Sequence, residues 1–388
     1  SSWEESLKIL KNKLKSLKPL ALVGEHVDLE TGYAINKFMS NFGKDNVECR
    51  TDNQAILENL DSYRFNTPLN EIENSDLIIL LGTNPKIETP IINHKIFKAY
   101  NNNSRIFNIG ENISLNYQTE YLGDKLSNLN NEKLIKALKK SSNPLIIIGS
   151  AFLSKIKNIK TLKSIFSFAD KYNVITKDKN NLNFLNPYAS RVGQLILGNT
   201  TKNLCEPFSK LKKEKFEIVL SFGSEHIASE QFDNCFRVYF GHHGDEGAMK
   251  SDIILPTPLY TEKNGIFVNI EGRPQEAKKC HNPIGSAKEE WSIIKKLSDE
   301  FSFVFEPNTF EQLRSELLKK YTKLSIFHEI LSNDNASPII TDIEFEDCKP
   351  QYPINNFYMS DIISKNSVTM AKCVEEIAST PSLLEKSA

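Results

Sequence analysis

The sequence lacks paired cysteines. Six cysteines are scattered along the chain, and no two have the Cys-x-x-Cys spacing. Structural zinc sites and cysteine-ligated iron–sulfur clusters need several thiolates, usually supplied by close pairs. We therefore expect reduced, mostly buried thiols that ligate no metal. The cysteines are Cys49, Cys205, Cys235, Cys280, Cys348 and Cys373.

Long hydrophobic runs are also missing. The longest are Leu77–Leu81 and Leu145–Ile148, far short of the ~20 apolar residues that cross a bilayer as a helix. Direct membrane insertion is therefore not predicted. The start shows no signal-peptide pattern and no initiator Met, from which we expect a processed chain or one piece of a larger protein.

An excess of one charge is absent. The 388 residues have a formal net charge of -1, with 39% hydrophobic and 25% charged residues. These values are typical of a folded protein with room for two or three domains. Nucleic-acid binding, which needs a clustered basic surface, is not predicted. No Gly-x-Gly-x-x-Gly or Walker motif is present, so we expect no NADH site of the Rossmann kind.

One local pattern recurs four times: a short apolar run, a glycine, a polar residue and a helical segment. Continuous apolar runs of this length are typical of parallel strands covered on both faces. Glycine permits the sharp turn off the strand, and the polar residue starts the next helix. The pattern predicts two doubly wound, mostly parallel α/β domains. The turns are Gly24-Glu25, Gly82-Thr83, Gly149-Ser150 and Gly223-Ser224.

The spacing of these patterns predicts the domain boundaries. We place a first α/β domain with an N-terminal helix at residues 1–142, a second at 143–304 and an extended C-terminal tail at 305–388. Between the first two, residues 128–143 are polar and Lys-rich and predict a helix with linkers.

Further strands and a hairpin complete the prediction. Asn264-Gly265 is a strong turn signal, and apolar residues alternate after it, which predicts a β-hairpin in the second domain. The further strands lie near Ile106–Ile109, Val174-Ile175, Val238–Phe240 and Ile253–Leu255.

The glycine turns are the first candidates for ligand binding. Open α/β sheets bind ligands beyond the carboxyl ends of their strands, where these turns lie. Gly82-Thr83, Gly149-Ser150 and Gly223-Ser224-Glu225 could offer N–H and hydroxyl groups to a phosphate. The favoured interpretation is that they only turn a strand into a helix, because every parallel sheet needs such turns.

Two adjacent histidines, His242 and His243, are a second candidate. Neighbouring loop residues rarely both reach one metal, and no third histidine is close in sequence. We favour a structural turn in which the imidazoles hydrogen-bond backbone groups. The other histidines are isolated and are interpreted as structural or exposed: His26, His94, His226, His281 and His328.

Glu262, Glu271 and Arg273 flank the predicted hairpin. They could bind a polar ligand through bidentate arginine contacts, or pin the hairpin by ion pairs, which is the favoured interpretation. We find no Ser–His–Asp, Cys–His or paired-carboxylate arrangement in a catalytic context. The sequence thus predicts no catalytic, cofactor-binding or metal-binding residue.

Several segments resemble the molybdopterin oxidoreductase superfamily. They are DLIILLGTNP at Asp76–Pro85, SDIILP at Ser251–Pro256, YTEKNG at Tyr260–Gly265 and VNIEGRPQ at Val268–Gln275. Others resemble one branch, the large iron–sulfur subunits of complex I (the 75 kDa subunit in mitochondria). These are Gly82–Pro90, Tyr121–Asp124, YFGHHGDEGA at Tyr239–Ala248, Asn356–Ser364 and SVTMAKC at Ser367–Cys373.

The resemblance implies a role without chemistry on this chain. In that branch the iron–sulfur clusters are bound by an N-terminal part, of which nothing is present here, and molybdenum is not expected. The resemblance implies a structural part of the NADH-oxidising arm of complex I, on the matrix side of the mitochondrial inner membrane. The implied partners are the N-terminal iron–sulfur part (as the same or a separate chain), the two-iron 24 kDa-type subunit and the flavin-carrying NADH-binding subunit.

Two alternatives stay open. An active molybdopterin oxidoreductase fragment, such as part of a formate dehydrogenase, predicts molybdenum or pterin near Gly82, Gly149 and Gly223. An unrelated nucleotide-binding Rossmann protein predicts that the chain binds a small nucleotide.

Overall fold

The computed structural model describes residues 2–43, 45–211, 216–332, 340–352, 354 and 356–379. Its strands are β1 (Pro19–Val23), β2 (Val47–Glu48), β3 (Leu77–Leu81), β4 (Arg105–Ile109), β5 (Glu120–Tyr121), β6 (Pro144–Ile148), β7 (Leu182–Phe184), β8 (Ile218–Phe222), β9 (Phe236–Gly241), β10 (Ile253–Pro256), β11 (Gly265–Val268) and β12 (Pro274–Ala277). Its helices are α1 (Trp3–Ser16), α2 (Leu29–Met39), α3 (Pro85–Glu88), α4 (Pro90–Asn101), α5 (Glu132–Leu138), α6 (Ser150–Leu153), α7 (Ile159–Lys171), α8 (Arg191–Ile196), α9 (Pro207–Leu211), α10 (Glu246–Met249), α11 (Glu290–Phe301), α12 (Phe310–Lys320), α13 (Ile362–Lys365) and α14 (Val368–Ser379). Within these residues, no helix is both long enough and apolar enough to cross a membrane.

Two five-stranded parallel sheets form the framework. One has the strand order β10-β9-β8-β1-β2 and the other β5-β4-β3-β6-β7. The four strands that precede the glycine turns, β1, β3, β6 and β8, are buried along their whole length. The predicted doubly wound α/β fold is confirmed, because both sheets are parallel and their strand orders run in opposite directions from the inner pairs β8-β1 and β3-β6.

The chain divides into two compact units that differ from the predicted boundaries. Unit 1 comprises 1–51, 188–203 and 207–332, and unit 2 comprises 52–187, 204–206 and 333–388. The boundaries at 142 and 304 were therefore wrong. The physical reason is that β1 pairs with β8 and β3 with β6, so each sheet joins strands that are remote in sequence.

Unit 1 contains helices α11 and α12, which follow strands β10 to β12 along the chain. Residues 305–332, predicted to be tail, belong to this unit. Leu313 and Leu317 of α12 are fully buried. Glu316 on the same helix accepts hydrogen bonds from Tyr33 at 2.8 Å and Lys37 at 2.6 Å. An amphipathic helix with its apolar stripe buried is part of a core, which explains why this segment is not a tail.

Unit 2 is built on the most apolar strands. Ile79, Leu81, Ile146 and Ile148 share one hydrophobic core and are fully buried. Helix α7 covers them, with Asn158 as its N-cap accepting from the Lys160 N–H. Each fully buried isoleucine contributes about 2 kcal/mol by removing apolar surface from water.

The predicted hairpin exists, but its turn is elsewhere. β11 and β12 pair antiparallel with Gly265 opposite Ala277, so Asn264-Gly265 lies at the start of the first strand and not between the two strands. The connecting turn is made by Asn269, whose side-chain oxygen accepts the N–H groups of Glu271 at 3.0 Å and Arg273 at 2.9 Å. Asn is suited to such side-chain-stabilised turns.

The predicted strand at Val174-Ile175 is also misplaced. Ile175 makes only an isolated bridge with Asn180, and β7 follows at Leu182. The chain makes a tight turn before reaching the sheet edge, which a two-residue apolar signal cannot position.

One described segment is extended, as predicted for the tail. Residues 340–352, here called the strap, contain no helix or strand. Their apolar side chains Ile343, Phe345 and Cys348 pack against the core of unit 2. The strap is followed by the helices α13 and α14.

Candidate functional site

The carboxyl edge of the unit 2 sheet contains a topological switch point between β3 and β6. From β3 the chain continues to β4 on one side, and from β6 to β7 on the other. In open α/β sheets a crevice forms at this position and is the usual ligand site. The turns Gly82-Thr83 and Gly149-Ser150, predicted as candidates, lie at this edge.

These two turns are packed against each other. Gly82 has a φ of +59°, and a Cβ placed there would lie 2.2 Å from the Phe152 ring. A Cβ on Gly149 would lie 2.2 Å from the Gly82 carbonyl oxygen. Glycine is required at both positions, because no side chain fits and the first also needs the left-handed region. The glycines therefore serve close packing between turns.

The carboxylate of Glu88 lies between the two turns. One of its oxygens accepts hydrogen bonds from the Thr83 hydroxyl and from the Asn84 N–H at 3.1 Å. The other accepts from the Ser150 hydroxyl at 2.5 Å. Burial raises the pKa of Glu88 above its ordinary value, against these donors, which lower it. Polar groups that were considered as candidate phosphate ligands are thus already bonded to a side chain of the same chain.

The strap ends beside the same edge. The Gln351 N–H donates to the Ala151 carbonyl at 3.1 Å. The Tyr352 hydroxyl accepts from the Glu111 N–H at 3.2 Å and would lie 2.9 Å from a Cβ on Gly110. Burial raises the pKa of Tyr352 to about 12. The loops after β4 and β6 are therefore both contacted by the end of the strap.

The carboxyl edge of the unit 1 sheet has a second switch point, between β1 and β8. Gly24 approaches Gly223 so closely that a Cβ on Gly24 would lie 2.1 Å from the Gly223 carbonyl oxygen. The Ser221 hydroxyl donates to the Ser224 carbonyl at 2.6 Å and accepts from the Ser224 N–H at 3.2 Å. The Gly223 turn is thus organised by the close approach of Gly24 and by the contacts between Ser221 and Ser224.

The paired histidines lie after β9 at this edge. The Nδ1 atoms of His242 and His243 are 2.5 Å apart, with rings at 86°. Burial, followed by the neighbouring His243 and His26, lowers the pKa of His242 to about 3. One imidazole must donate and the other accept, so at least one is neutral. The predicted structural role fits this geometry, although the observed bond joins the two rings.

His26 is isolated in the sequence but lies close enough to His242 to help lower the pKa of that residue. Its ring centroid lies 6.1 Å from that of Tyr260. No local sequence pattern marks this proximity, because His26 follows β1 and His242 follows β9, which the fold brings to one edge.

A buried ion cluster beside the hairpin was missed by sequence reasoning. The Lys263 Nζ lies 2.9 Å from Asp28 Oδ2 and 2.8 Å from Glu290 Oε2. All three side chains are nearly inaccessible to solvent. Burial alone would lower the pKa of Lys263, but the two carboxylates raise it above its usual range. Its partners are far away in sequence, so no local motif marks the cluster.

Glu30 and Arg314 extend this cluster. Glu30 accepts the Ile266 N–H at 2.9 Å and pairs with Arg314 Nε at 2.6 Å. Burial, and then the charge of Asp28, raises the pKa of Glu30 to about 7 despite Arg314. The start of β11 is therefore held by a carboxyl that titrates near neutrality.

The predicted residues Glu262, Glu271 and Arg273 do not form one cluster. Glu262 accepts the Leu259 N–H at 2.9 Å, while Arg273 lies 3.6 Å from Glu271 and donates to the His328 carbonyl. These contacts favour the interpretation that the three residues hold the hairpin region in place by hydrogen bonds and ion pairs. Among the described residues, no three His, Cys, Asp or Glu side chains converge in a way that could hold a metal ion.

Comparison with known proteins identifies the family. Residues 1–300 match the family model described as molybdopterin oxidoreductase, and this is more than half of the chain. The chain belongs to the molybdopterin oxidoreductase family. Within this molybdopterin oxidoreductase chain, residues 330–373 also match the model for the C-terminal part of the G subunit of NADH-ubiquinone oxidoreductase.

Two similar proteins align with almost the whole of this molybdopterin oxidoreductase chain. The G subunit of NADH-quinone oxidoreductase from Rickettsia bellii is 34% identical over 97% of this chain and 55% of the relative. The NADH-ubiquinone oxidoreductase 75 kDa subunit of Reclinomonas americana is 33% identical over 96% of this chain and 58% of the relative. The chain thus spans about half the length of these relatives.

A solved structure supports the fold alone. A chain of the formyltransferase/hydrolase complex from Methylorubrum extorquens, in complex with methylofuran, superimposes with a TM-score of 0.56. The match covers 83% of this chain and 98% of that one, at 11% identity. This likeness is consistent with the two-sheet architecture of the molybdopterin oxidoreductase family.

Proposed function

We propose that this chain is the C-terminal part of the large iron–sulfur subunit of respiratory complex I and a non-catalytic structural component of its NADH-oxidising arm. The observation that carries the proposal is the combined match. Relatives named as the G subunit and the 75 kDa subunit align with 96–97% of the chain, and the C-terminal model of the G subunit covers residues 330–373. The assembly as a whole would transfer electrons from NADH to ubiquinone and couple this transfer to proton pumping.

The geometry of unit 2 supports a non-catalytic role. The family name implies a pterin cofactor, and the carboxyl edge of unit 2 is a natural place to test its fit. There Phe152 covers Gly82, the Glu88 carboxylate uses the polar donors, and Tyr352 contacts the neighbouring loop. These side chains do not fit a cofactor at this edge. We propose that the chain carries no molybdenum and no iron–sulfur cluster.

The proposed partners follow from the same assignment. They are the cluster-bearing N-terminal part of the subunit, as the same or a separate polypeptide, the two-iron 24 kDa-type subunit and the flavin-carrying NADH-binding subunit. The proposed location is the matrix side of the mitochondrial inner membrane. Rigid sheets suit this role, because densely packed cores hold neighbouring parts at fixed positions.

Affinity purification tests the proposal. The chain is tagged in its own cells, membranes are solubilised with mild detergent, and the captured material is separated by native electrophoresis. We expect a large assembly with NADH dehydrogenase activity and a partner sequence with cluster-binding cysteines in equal amount. Recovery of the tagged chain as a free monomer would contradict the assignment.

The second candidate, an active molybdopterin oxidoreductase, is favoured by the match over residues 1–300. It predicts molybdenum bound in stoichiometric amount. Elemental analysis of the captured assembly separates the two, since we expect iron without molybdenum. One molybdenum per chain would replace the structural assignment with the catalytic one.

A further inference from the structure

We propose that unit 2 carries a built-in closure of its ligand crevice, in which Glu88 latches the turns after β3 and β6 together and the strap covers the edge through Tyr352. This inference concerns residues of this chain alone and does not depend on the assembly to which the chain belongs. It assigns a role to Glu88 and Tyr352 that goes beyond scaffolding.

The latch is the Glu88 carboxylate. Its two oxygens bond to different turns: one to Thr83 and Asn84 after β3, the other to Ser150 after β6. At a switch point the two following segments leave the sheet on opposite sides, which opens the crevice. A carboxylate bonded to both turns ties them together at that point, and charge-assisted hydrogen bonds are the stronger kind.

The contact between the turns supports the latch. Phe152 of α6 fills the space at Gly82, and Gly149 lies against the Gly82 carbonyl. Phe152 is fully buried, as is Thr83. A ligand that entered between the turns would have to displace this ring and the Glu88 carboxylate together.

The cover is the end of the strap. Ile343 and Phe345 anchor the strap on the core of unit 2, and the Phe345 ring lies 5.8 Å from that of Phe168 in a T-shaped arrangement. From this anchor the strap reaches Ala151 and Glu111 through Gln351 and Tyr352. Its last residues therefore contact the start of α6 on one side of the switch point and the loop after β4 on the other.

Hydrogen exchange measured by mass spectrometry on the full chain tests the latch. We expect Glu88→Ala to speed exchange of the amides at residues 83–84 and 149–151 by at least about tenfold. In this variant the two turns can open locally without breaking the hydrogen bonds that Glu88 accepts in the wild type. The matched control is Glu73→Ala. Glu73 also accepts hydrogen bonds from side chains, at 2.6 Å from Lys95, but precedes β3 at the amino edge. Its loss should leave both peptides within about twofold of wild type.

A second variant keeps the latch testable if Glu88→Ala does not fold. In Glu88→Gln the side chain still fills the space but offers one acceptor oxygen to donors on two turns. We expect exchange at residues 83–84 or 149–151 to rise about threefold or more. Wild-type exchange in a folded Glu88→Ala or Glu88→Gln chain would overturn the latch.

The cover is tested with Tyr352→Ala and a ligand probe. We expect the Ala variant to speed exchange at residues 110–111, whereas Tyr352→Phe, which keeps the ring, should do so less. Inorganic pyrophosphate, a probe for dinucleotide-type groups, should bind the wild type more weakly than about 1 mM. Wild-type exchange in Tyr352→Ala, or pyrophosphate protection of residues 82–88 and 149–153 in the wild type, would overturn the closure.

Discussion

The amino group of Lys263 lies 2.9 Å from the carboxylate of Asp28, and both side chains are almost completely buried. Asp28 is also the N-cap of α2, accepting the Thr31 N–H at 2.8 Å. The ion pair therefore joins the segment before β11 to the start of a core helix in unit 1. Glu290 completes the cluster from α11.

Removal of Lys263 should destabilise unit 1. In Lys263→Ala, Asp28 and Glu290 are left buried without their cation, which we expect to cost about 3–5 kcal/mol of unfolding free energy. Urea denaturation followed by circular dichroism measures this change. The control is Lys295→Ala, whose partner Asp299 is mostly exposed on the same helix, and its cost should stay below about 1 kcal/mol. Equal losses in the two variants would contradict a special role for the buried cluster.

Glu30 should make unit 1 less stable as the pH rises. Its pKa in the folded chain is about 7, raised from 4.5, so the folded state holds a proton that the unfolded state has released. The corresponding stability is complete below pH 4.5 and is lost as the pH rises through 7, by about 3 kcal/mol in all. Glu30→Gln should remove this loss when urea midpoints are compared at several pH values.

Glu316 provides a control, because its pKa is shifted in the opposite direction to that of Glu30. Burial opposes the shift, but hydrogen bonds from Lys37 and Tyr33 lower the pKa of Glu316. Its stabilisation is present above its unfolded pKa and is lost on acidification. Glu316→Gln should therefore reduce stability at neutral pH and leave the fall caused by Glu30 in place. A pH profile of Glu30→Gln that matches the wild type would contradict the assignment.

Gly82→Ala should destabilise unit 2 more than an ordinary glycine replacement. The new methyl group meets the Phe152 ring and the φ of +59° is unfavourable for alanine. We expect a loss of more than about 2 kcal/mol, since overpacking and backbone strain add. Gly198→Ala is the control, because its φ is +73° but nothing lies within 4 Å. That variant should lose stability only through backbone strain, by about 1 kcal/mol.

The strap should be held by apolar contacts. Phe345→Ala removes its packing on Phe168 and the core of unit 2, and limited proteolysis should then cut within 340–352 faster than in the wild type. The ion pairs Lys125–Asp347 and Lys160–Glu344 are largely exposed. Such exposed ion pairs contribute little to holding the strap. Screening them with about 1 M salt should therefore not release it. Cleavage that depends on salt and not on Phe345 would show the opposite.

The parallel sheets could be predicted from sequence because their signal is local. Strands β1, β3 and β6 are unbroken apolar runs followed by glycine, β8 is such a run interrupted by Ser221, and each strand is buried as this pattern predicts. The short strands β2 and β5 have two residues each and carry no such signal. They form because a paired neighbour presents its backbone groups.

The candidate sites were predictable only in part. The Gly82 and Gly149 turns were located correctly, but Glu88 stands four residues after the N-cap Asn84, which is not the spacing of a capping box. Its bond to Ser150 depends on β3 lying beside β6, which no local pattern states. The same holds for Lys263, whose partners Asp28 and Glu290 come from distant segments. The type of each side chain can be read from the local sequence, whereas its bonding partner depends on how the fold brings distant segments together.

The interleaved strand order imposes a sequence of events during synthesis. β1 needs β8 as its neighbour, with Ala21 opposite Leu220, yet residues 52–187 must leave the ribosome before β8 does. Strands β3 to β7 all lie in that intervening stretch, so their sheet has its strands available first. Until β8 emerges, the edge of β1 that pairs with it stays unpaired, and long-range pairing of this kind is slow. A chaperone that binds exposed apolar strands would therefore find a target in β1 for as long as β8 is still being synthesised.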